Sequence, residues 1–217
     1  MLKFEDWGLI DYEEALTRQL QKVEEVAESE SKNPHQSQSE NFGFLVFCTH
    51  PAVVTLGRKT QPGDVFGWKG PIKEISRGGR ATYHGPSQLV IYPIFKIKDI
   101  GQYLRHFEDA IIAVLKTYGV DAVGKTLQKK TDVAEESEET GVWVGRQKIA
   151  SLGIGVKKWI TYHGAAINLD EDPQAFQGMK PCGFSSETMV SLEKLLNRKV
   201  DRDDFSERLK KALLEIL

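Results

Sequence analysis

Apolar residues recur along the chain in two periods, and the switches between them outline the elements. Leu16, Leu20, Val23 and Ala27 fall at helical spacing behind Asp11, which forms a capping box with Glu14 three residues on. That helix is expected to fade by Glu28, where SESKNPHQSQSEN begins a polar loop carrying His35 as a solvated side chain. Two short apolar runs, Phe44 to Cys48 and Val53 to Leu56, are split by His50-Pro51 and predict two strands of one sheet. Gly57-Arg58-Lys59 then leads into a turn through Pro62-Gly63-Asp64. Leu89 to Phe95 reads as a buried strand, with Pro93 pointing to an edge position or a bulge.

Ile100, Leu104, Phe107, Ile111, Val114/Leu115 and Tyr118 restore the helical period, and Gly119 closes that helix. His106 shares a turn with Arg105 and Glu108, which assigns it to a solvated face. Lys125 to Thr140 is charged, with Glu135, Glu136, Glu138 and Glu139 close together, and predicts a surface loop. From Gly141 the period becomes two: GVWV, KIASLGIGV and WITYHGAAINL, joined by Gly-Arg and Lys-Lys turns, predict an antiparallel meander. In its middle strand Ile149, Ser151, Gly153 and Gly155 alternate with Lys148, Ala150, Leu152, Ile154 and Val156. The small residues leave room for a ligand along one face, although close sheet packing produces the same pattern. A short helix near Met189 to Asn197 and a last one opened by Asp203, with Phe205, Leu209, Ala212/Leu213 and Ile216 inward, complete the chain.

The 217 residues show no internal repeat or linker and predict one domain spanning 1–217. A net charge of −2 argues against a nucleic-acid partner that relies on broad phosphate neutralisation, but leaves room for a local basic patch. No apolar run approaches the roughly 20 residues of a membrane span, so no membrane association is expected. The acidic start, MLKFEDWGLIDYEE, has neither a signal-peptide core nor transit-peptide character. Two cysteines, Cys48 and Cys182, are too few for a disulfide scaffold or a Cys-based zinc site, which predicts a reducing, cytoplasmic setting.

Two places carry candidate chemistry. In Arg77-Gly78-Gly79-Arg80 the glycines let backbone N–H groups approach a ligand, the arginines add charge, and His84 adds a group able to titrate near neutrality. The same letters also suit a plain turn. Cys182 lies between Pro181 and Gly183, in a turn that would present its thiol, whereas Cys48 sits in the apolar run LVFC. Reactivity needs the thiolate, which a nearby cation favours. Lys148 is a candidate cation, although a lysine at a strand start is ordinarily a surface group.

The stretch RGGRATYHGPSQLVIYPI resembles the signature of the octanoyl-acyl-carrier-protein:protein octanoyltransferases, lipoate-biosynthesis acyltransferases of the biotin/lipoate protein ligase superfamily. Gly8-Leu9-Ile10-Asp11-Tyr12, PAVVTLGR (whose arginine, Arg58, lies near the site in that family), Lys148-Ile149-Ala150, His163-Gly164-Ala165-Ala166-Ile167-Asn168 and Pro181-Cys182-Gly183 follow the family's order. Ser87 departs from it, standing where glycine is usual. The resemblance implies an α+β fold with a mixed, mainly antiparallel sheet flanked by helices. It implies a Cys182/Lys148 dyad and an acyl site lined by Arg77, Gly78, Gly79, Arg80, Ala81, Thr82, Tyr83 and His84, by Ser151, Leu152 and Gly153, and by Gly164, Ala165 and Ala166. It further implies ping-pong transfer from octanoyl-acyl carrier protein through a Cys182 thioester, with backbone N–H groups near the Cys182 turn holding the oxyanion. The acceptors would be lysines on lipoyl domains of 2-oxoacid dehydrogenases and on glycine cleavage H protein. A monomer is expected, needing no cofactor, nucleotide or metal. The alternatives are an ATP-dependent lipoate or biotin ligase on the same fold, and a non-catalytic carrier-binding module.

Overall fold

The computed structural model describes residues 2–32, 42–126 and 140–217; His35 and the Glu135–Glu139 cluster fall outside them. In chain order the strands are β1 (Leu2–Leu9), β2 (Gly43–Thr49), β3 (Val53–Leu56), β4 (Ile72–Glu74), β5 (Thr82–His84), β6 (Gln88–Phe95), β7 (Val123–Gly124), β8 (Gly141–Val144), β9 (Gln147–Lys157) and β10 (Ile160–Asn168). The helices are α1 (Tyr12–Lys32), α2 (Ile100–Thr117), α3 (Leu192–Leu196) and α4 (Arg202–Ile216). Seven strands form one sheet in the order β1-β2-β6-β10-β9-β8-β7. Among the described residues only its β1/β2 pair is parallel. The strands β4-β3-β5 form a separate small sheet.

β2 and β3 therefore belong to different sheets, not to one. Between them His50 is fully buried and fixed, with Nδ1 2.8 Å from the Ile10 carbonyl and Nε2 2.6 Å from the Tyr92 hydroxyl. That anchor turns the chain out of the first sheet. The large sheet separates two apolar layers. Residues of α2 and α4 pack with Leu45, Ile91, Ile149, Ala150 and Ile167 on one face, and residues of α1 pack with Val46, Val90, Tyr92 and Ala166 on the other. A third cluster, around Val54, Ala81, Tyr83 and Met179, sits under the small sheet.

Helix α1 begins as its cap predicts, Asp11 Oδ1 accepting from Glu13 N at 2.8 Å, but runs on to Lys32. Its inward stripe is Tyr12, Ala15, Gln19, Val23 and Val26, while Leu20 is exposed. The apolar count misses this rotation because a polar side chain, Gln19, is fully buried to accept a hydrogen bond from His163 N at 2.7 Å. Helix α2 ends at Thr117 with Tyr118 as its cap, and Gly119 follows at the positive φ expected just past the end. Glu108 on it is buried rather than solvated, accepting from Thr126 N, Thr126 Oγ1 and Gly141 N. Helix α4 is capped by Asp201, not Asp203, and buries Phe205, Leu209 and Leu213.

Pro93 lies in the middle of the large sheet, where an edge position or a bulge was predicted. Its partner on β2 is Leu45. On the β10 side the ladder lapses between Ile91 and Lys96, and the Lys96–Ile160 bridge keeps the same register, so neither strand gains a bulged residue. The missing proline N–H is accommodated by the lapse. Facing Pro93, His163 takes a left-handed φ of 57° and gives its own N–H to Gln19, while Thr161 Oγ1 donates to the Pro93 carbonyl at 2.8 Å. The meander forms as expected, except that Trp159 occupies the β9–β10 turn with Lys158, both at positive φ, instead of opening β10. Among the described residues no helix is long and apolar enough to cross a membrane.

Candidate functional site

A cavity of about 210 Å³ lies between the face of β9 and β10, the Arg77–Gly79 loop and the start of α1. Gly78 N donates to the Ile154 carbonyl at 3.0 Å, docking the loop onto β9. A Cβ on Gly153 would stand 3.1 Å from Arg77 Cδ, so glycine there allows the two to approach. Arg77 is buried and held from below, Nη1 donating to the Gly78 carbonyl at 2.8 Å and Nη2 to Thr55 O and Oγ1 at 3.1 Å.

β9 carries the feature that aims Lys148. Val142 pairs with Ala150 but Trp143 pairs with Lys148, so β9 takes two steps while β8 takes one. This bulge buries both Ile149 and Ala150 in the α2/α4 layer. It also turns Lys148 to the same side as Ser151, whereas strict alternation separates them. The Lys148 side chain is 1% exposed, with Nζ 5.4 Å from the Trp143 ring centre and 5.9 Å from that of Phe184.

Cys182 sits in a 3-10 turn, Pro181–Gly183, at φ 52° and ψ 26°, a left-handed conformation that costs a non-glycine residue roughly 1 kcal/mol or more. Three contacts hold it there. Cys182 N donates to the Ala81 carbonyl at 2.8 Å, and Lys180 N donates to the Asp64 carbonyl at 2.7 Å. Gly183, at φ 82°, leaves space for the Arg80 guanidinium, which a Cβ would meet at 2.3 Å. Arg80 in turn donates through Nε at 3.0 Å and through Nη2 to both carboxylate oxygens of Asp64, itself 1% exposed. The Cys182 sulfur stands 4.0 Å from Ser151 Oγ. Cys48 is buried, and loss of solvation pushes its thiol pKa far up.

Cys182 and Lys148 both line the cavity, together with Arg77, Gly78, Gly79, Thr82, His84, Ser151, Leu152, Gly153, Gly164, Ala165 and Ala166. Three residues of the expected set lie elsewhere. Arg80 is on Asp64, Ala81 offers its carbonyl to the Cys182 turn, and the Tyr83 hydroxyl reaches Asp172 Oδ2 at 3.3 Å. Tyr12, Tyr92, Val90, Ile154 and His163 also line the cavity and were not singled out from the sequence. Tyr12, Val90, Tyr92 and His163 lie inside motifs given in the sequence analysis, and that adjacency was the available signal.

The cavity floor is a packed aromatic and imidazole cluster. Tyr12 stacks on His84 with centres 5.5 Å apart, and His50 meets His84 edge-on at 5.8 Å. Burial, followed by the neighbouring His50, Arg77 and His163, holds His84 well below the ordinary imidazole range, so it does not titrate near neutrality. Burial and then Arg77 bring His163 down to about 3. All three imidazoles are shifted toward the neutral form. Among the described residues no group of His, Cys, Asp or Glu is placed to hold a metal ion.

Residues 11–214 match the family described as lipoyl protein ligase A/B catalytic domain. The chain is 53% identical to an octanoyltransferase of Bdellovibrio bacteriovorus, over 100% of this chain and 99% of the relative. It is 34% identical to an octanoyltransferase of Bacteroides fragilis, over 98% and 96%. Among solved structures, lipoate-protein ligase A bound with ATP superposes with a TM-score of 0.67 at 18% identity, covering 100% of this chain and 83% of that one. A bi-partite lipoate protein ligase from Thermoplasma acidophilum superposes with a TM-score of 0.64 at 16% identity, covering 100% and 84%. These two likenesses speak to the fold, which is the mixed α+β arrangement of that superfamily. With the family match spanning nearly the whole chain and full-length relatives sharing a third to a half of its residues, the protein belongs to the octanoyltransferases of the lipoyl protein ligase A/B catalytic-domain family.

Proposed function

We propose that this octanoyltransferase works through a Cys182 thioester, taking the octanoyl group from acyl carrier protein and passing it to a lysine amine of a lipoyl domain. The observation that carries this reading is the shared cavity. Cys182 and Lys148 come from distant parts of the chain, and a strand bulge and a left-handed turn aim both at one cavity beside Ser151. Lys148 takes the thiol proton, the thiolate attacks the donor thioester, and the carrier thiol leaves with that proton. The lipoyl-domain amine then attacks the acyl-Cys182 carbonyl, and the thiol is regenerated as the amide forms. The bond energy comes from the thioester, so no nucleotide is consumed. The whole chain acts as one catalytic domain, a cytoplasmic monomer whose acceptors are lipoyl domains of 2-oxoacid dehydrogenases and glycine cleavage H protein.

The fold likeness to ligases that bind ATP keeps a nucleotide-dependent route as the second reading. The two separate in one assay. Octanoyl transfer from carrier protein to a lipoyl domain is expected to proceed in EDTA without nucleotide. Strict dependence on ATP and magnesium would replace the transferase reading with the ligase one.

A further inference from the structure

The N–H groups of the turn that bears Cys182 are already spent. Cys182 N donates to the Ala81 carbonyl at 2.8 Å, Gly183 N to the Lys180 carbonyl at 3.0 Å, and Phe184 N to the Pro181 carbonyl at 3.0 Å. These bonds maintain the left-handed Cys182, so freeing an amide for a developing oxyanion would dismantle the geometry of the nucleophile. These three amides are therefore poor oxyanion donors, which points to a donor that faces Cys182 from another element.

We infer that the Ser151 hydroxyl is that donor; the inference rests on the acyl-Cys182 reading given above. Ser151 Oγ is 4.0 Å from Cys182 Sγ and lines the cavity. It sits in the body of β9, paired on both sides, with Ala166 on β10 and Gly141 on β8. Those small neighbours leave the hydroxyl room to turn. When Sγ bonds to the carbonyl carbon, the carbonyl π pair moves to oxygen, one bond further from sulfur. A donor 4.0 Å from Sγ can then meet that oxygen at about 2.7–3.1 Å, the distance such stabilisation requires. Ser151 keeps its proton throughout. Collapse returns the pair to C=O and expels the carrier sulfur, which takes its proton from Lys148. The same hydroxyl serves the second half-reaction, where the oxyanion forms on the same carbon.

The test compares two reactions of one thiol. Single-turnover acylation by octanoyl-carrier protein passes through an oxyanion, whereas alkylation by iodoacetamide does not. For Ser151→Ala we expect acylation to slow about 10²-fold with carrier affinity unchanged, and the alkylation rate of Cys182 to stay that of the parent. Ser151→Thr retains a hydroxyl and is expected to recover most of the acylation rate. Acylation of Ser151→Ala at the parent rate overturns the inference. So does an equal loss of alkylation and acylation, which would make Ser151 only a structural support for the thiol. A parent protein that alkylates at Cys182 but accepts no octanoyl group there removes the thioester reading itself, a different failure.

Discussion

Replacing Arg80 with methionine removes the cation that faces the buried carboxylate of Asp64 and keeps most of the side-chain volume. Asp64 would retain only the bond from Gln61 N at 2.9 Å, having lost those from Arg80 Nε and Nη2. Breaking a fully buried pair on one side costs about 3–5 kcal/mol, and each hydrogen bond to a charged group contributes about 1.5–3 kcal/mol. The Arg80 side chain is 26% exposed, so water can partly replace it, which brings the expected loss to about 2–4 kcal/mol. At roughly 2–4 °C per kcal/mol for a chain of this size, Tm should fall by about 5–15 °C. Because Gly183 packs on the guanidinium and Lys180 N is held by the Asp64 carbonyl, the Cys182 turn should loosen as well. Urea unfolding measures the first effect and the rate of Cys182 alkylation in the folded protein measures the second. The double variant Arg80→Met with Asp64→Leu, which leaves no unpaired charge, should recover part of the stability without restoring the turn. A loss below about 1 kcal/mol, the worth of an exposed ion pair, would refute the argument that this pair anchors the nucleophile.

Burial of neutral His163 has a pH signature. The unfolded imidazole binds a proton near 6.5 while the folded one resists until about 3, so stability should fall as pH drops through that window and be flat above it. His163→Asn tolerates the left-handed backbone and should reduce, with His50 and His84 still contributing, the slope of Tm against pH between about 6.5 and 4; an unchanged slope would remove His163 as a cause. Cys182→Ala should abolish turnover, whereas Cys48→Ala should cost about 1 kcal/mol in urea unfolding and leave activity intact. Charge reversal at the exposed Arg58 and Lys59 should weaken carrier-protein binding and flatten its salt dependence in titrations at low and high salt. Unchanged affinity at low salt would exclude both.

Where local chemistry decides structure, the sequence was legible. Helix α2, with its stripe and Gly119, and the β8–β10 meander each rest on signals within a few residues. The failures share a cause, a partner far along the chain. Gln19 is inward because His163 needs an acceptor, Glu108 because Thr126 and Gly141 need one, and Pro93 is central because His163 directs its own N–H away from the ladder. The bulge at Ile149 is invisible to periodicity, and strict alternation put Lys148 on the face opposite Ser151. The candidate loop showed its composition but not its division of labour. Arg77 belongs to the cavity and Arg80 to the buttress of the Cys182 turn, a difference fixed by Asp64 from an earlier loop.

The central claim is that Cys182 carries the acyl group. Mixing the protein with octanoyl-acyl carrier protein, digesting it under mildly acidic conditions and weighing the peptides should locate one octanoyl group on Cys182. Adding a lipoyl domain in EDTA without nucleotide should discharge it onto a lysine of that domain. An octanoyl group on Cys48, no adduct at either cysteine during active turnover, or an adduct that the lipoyl domain cannot discharge would contradict the account.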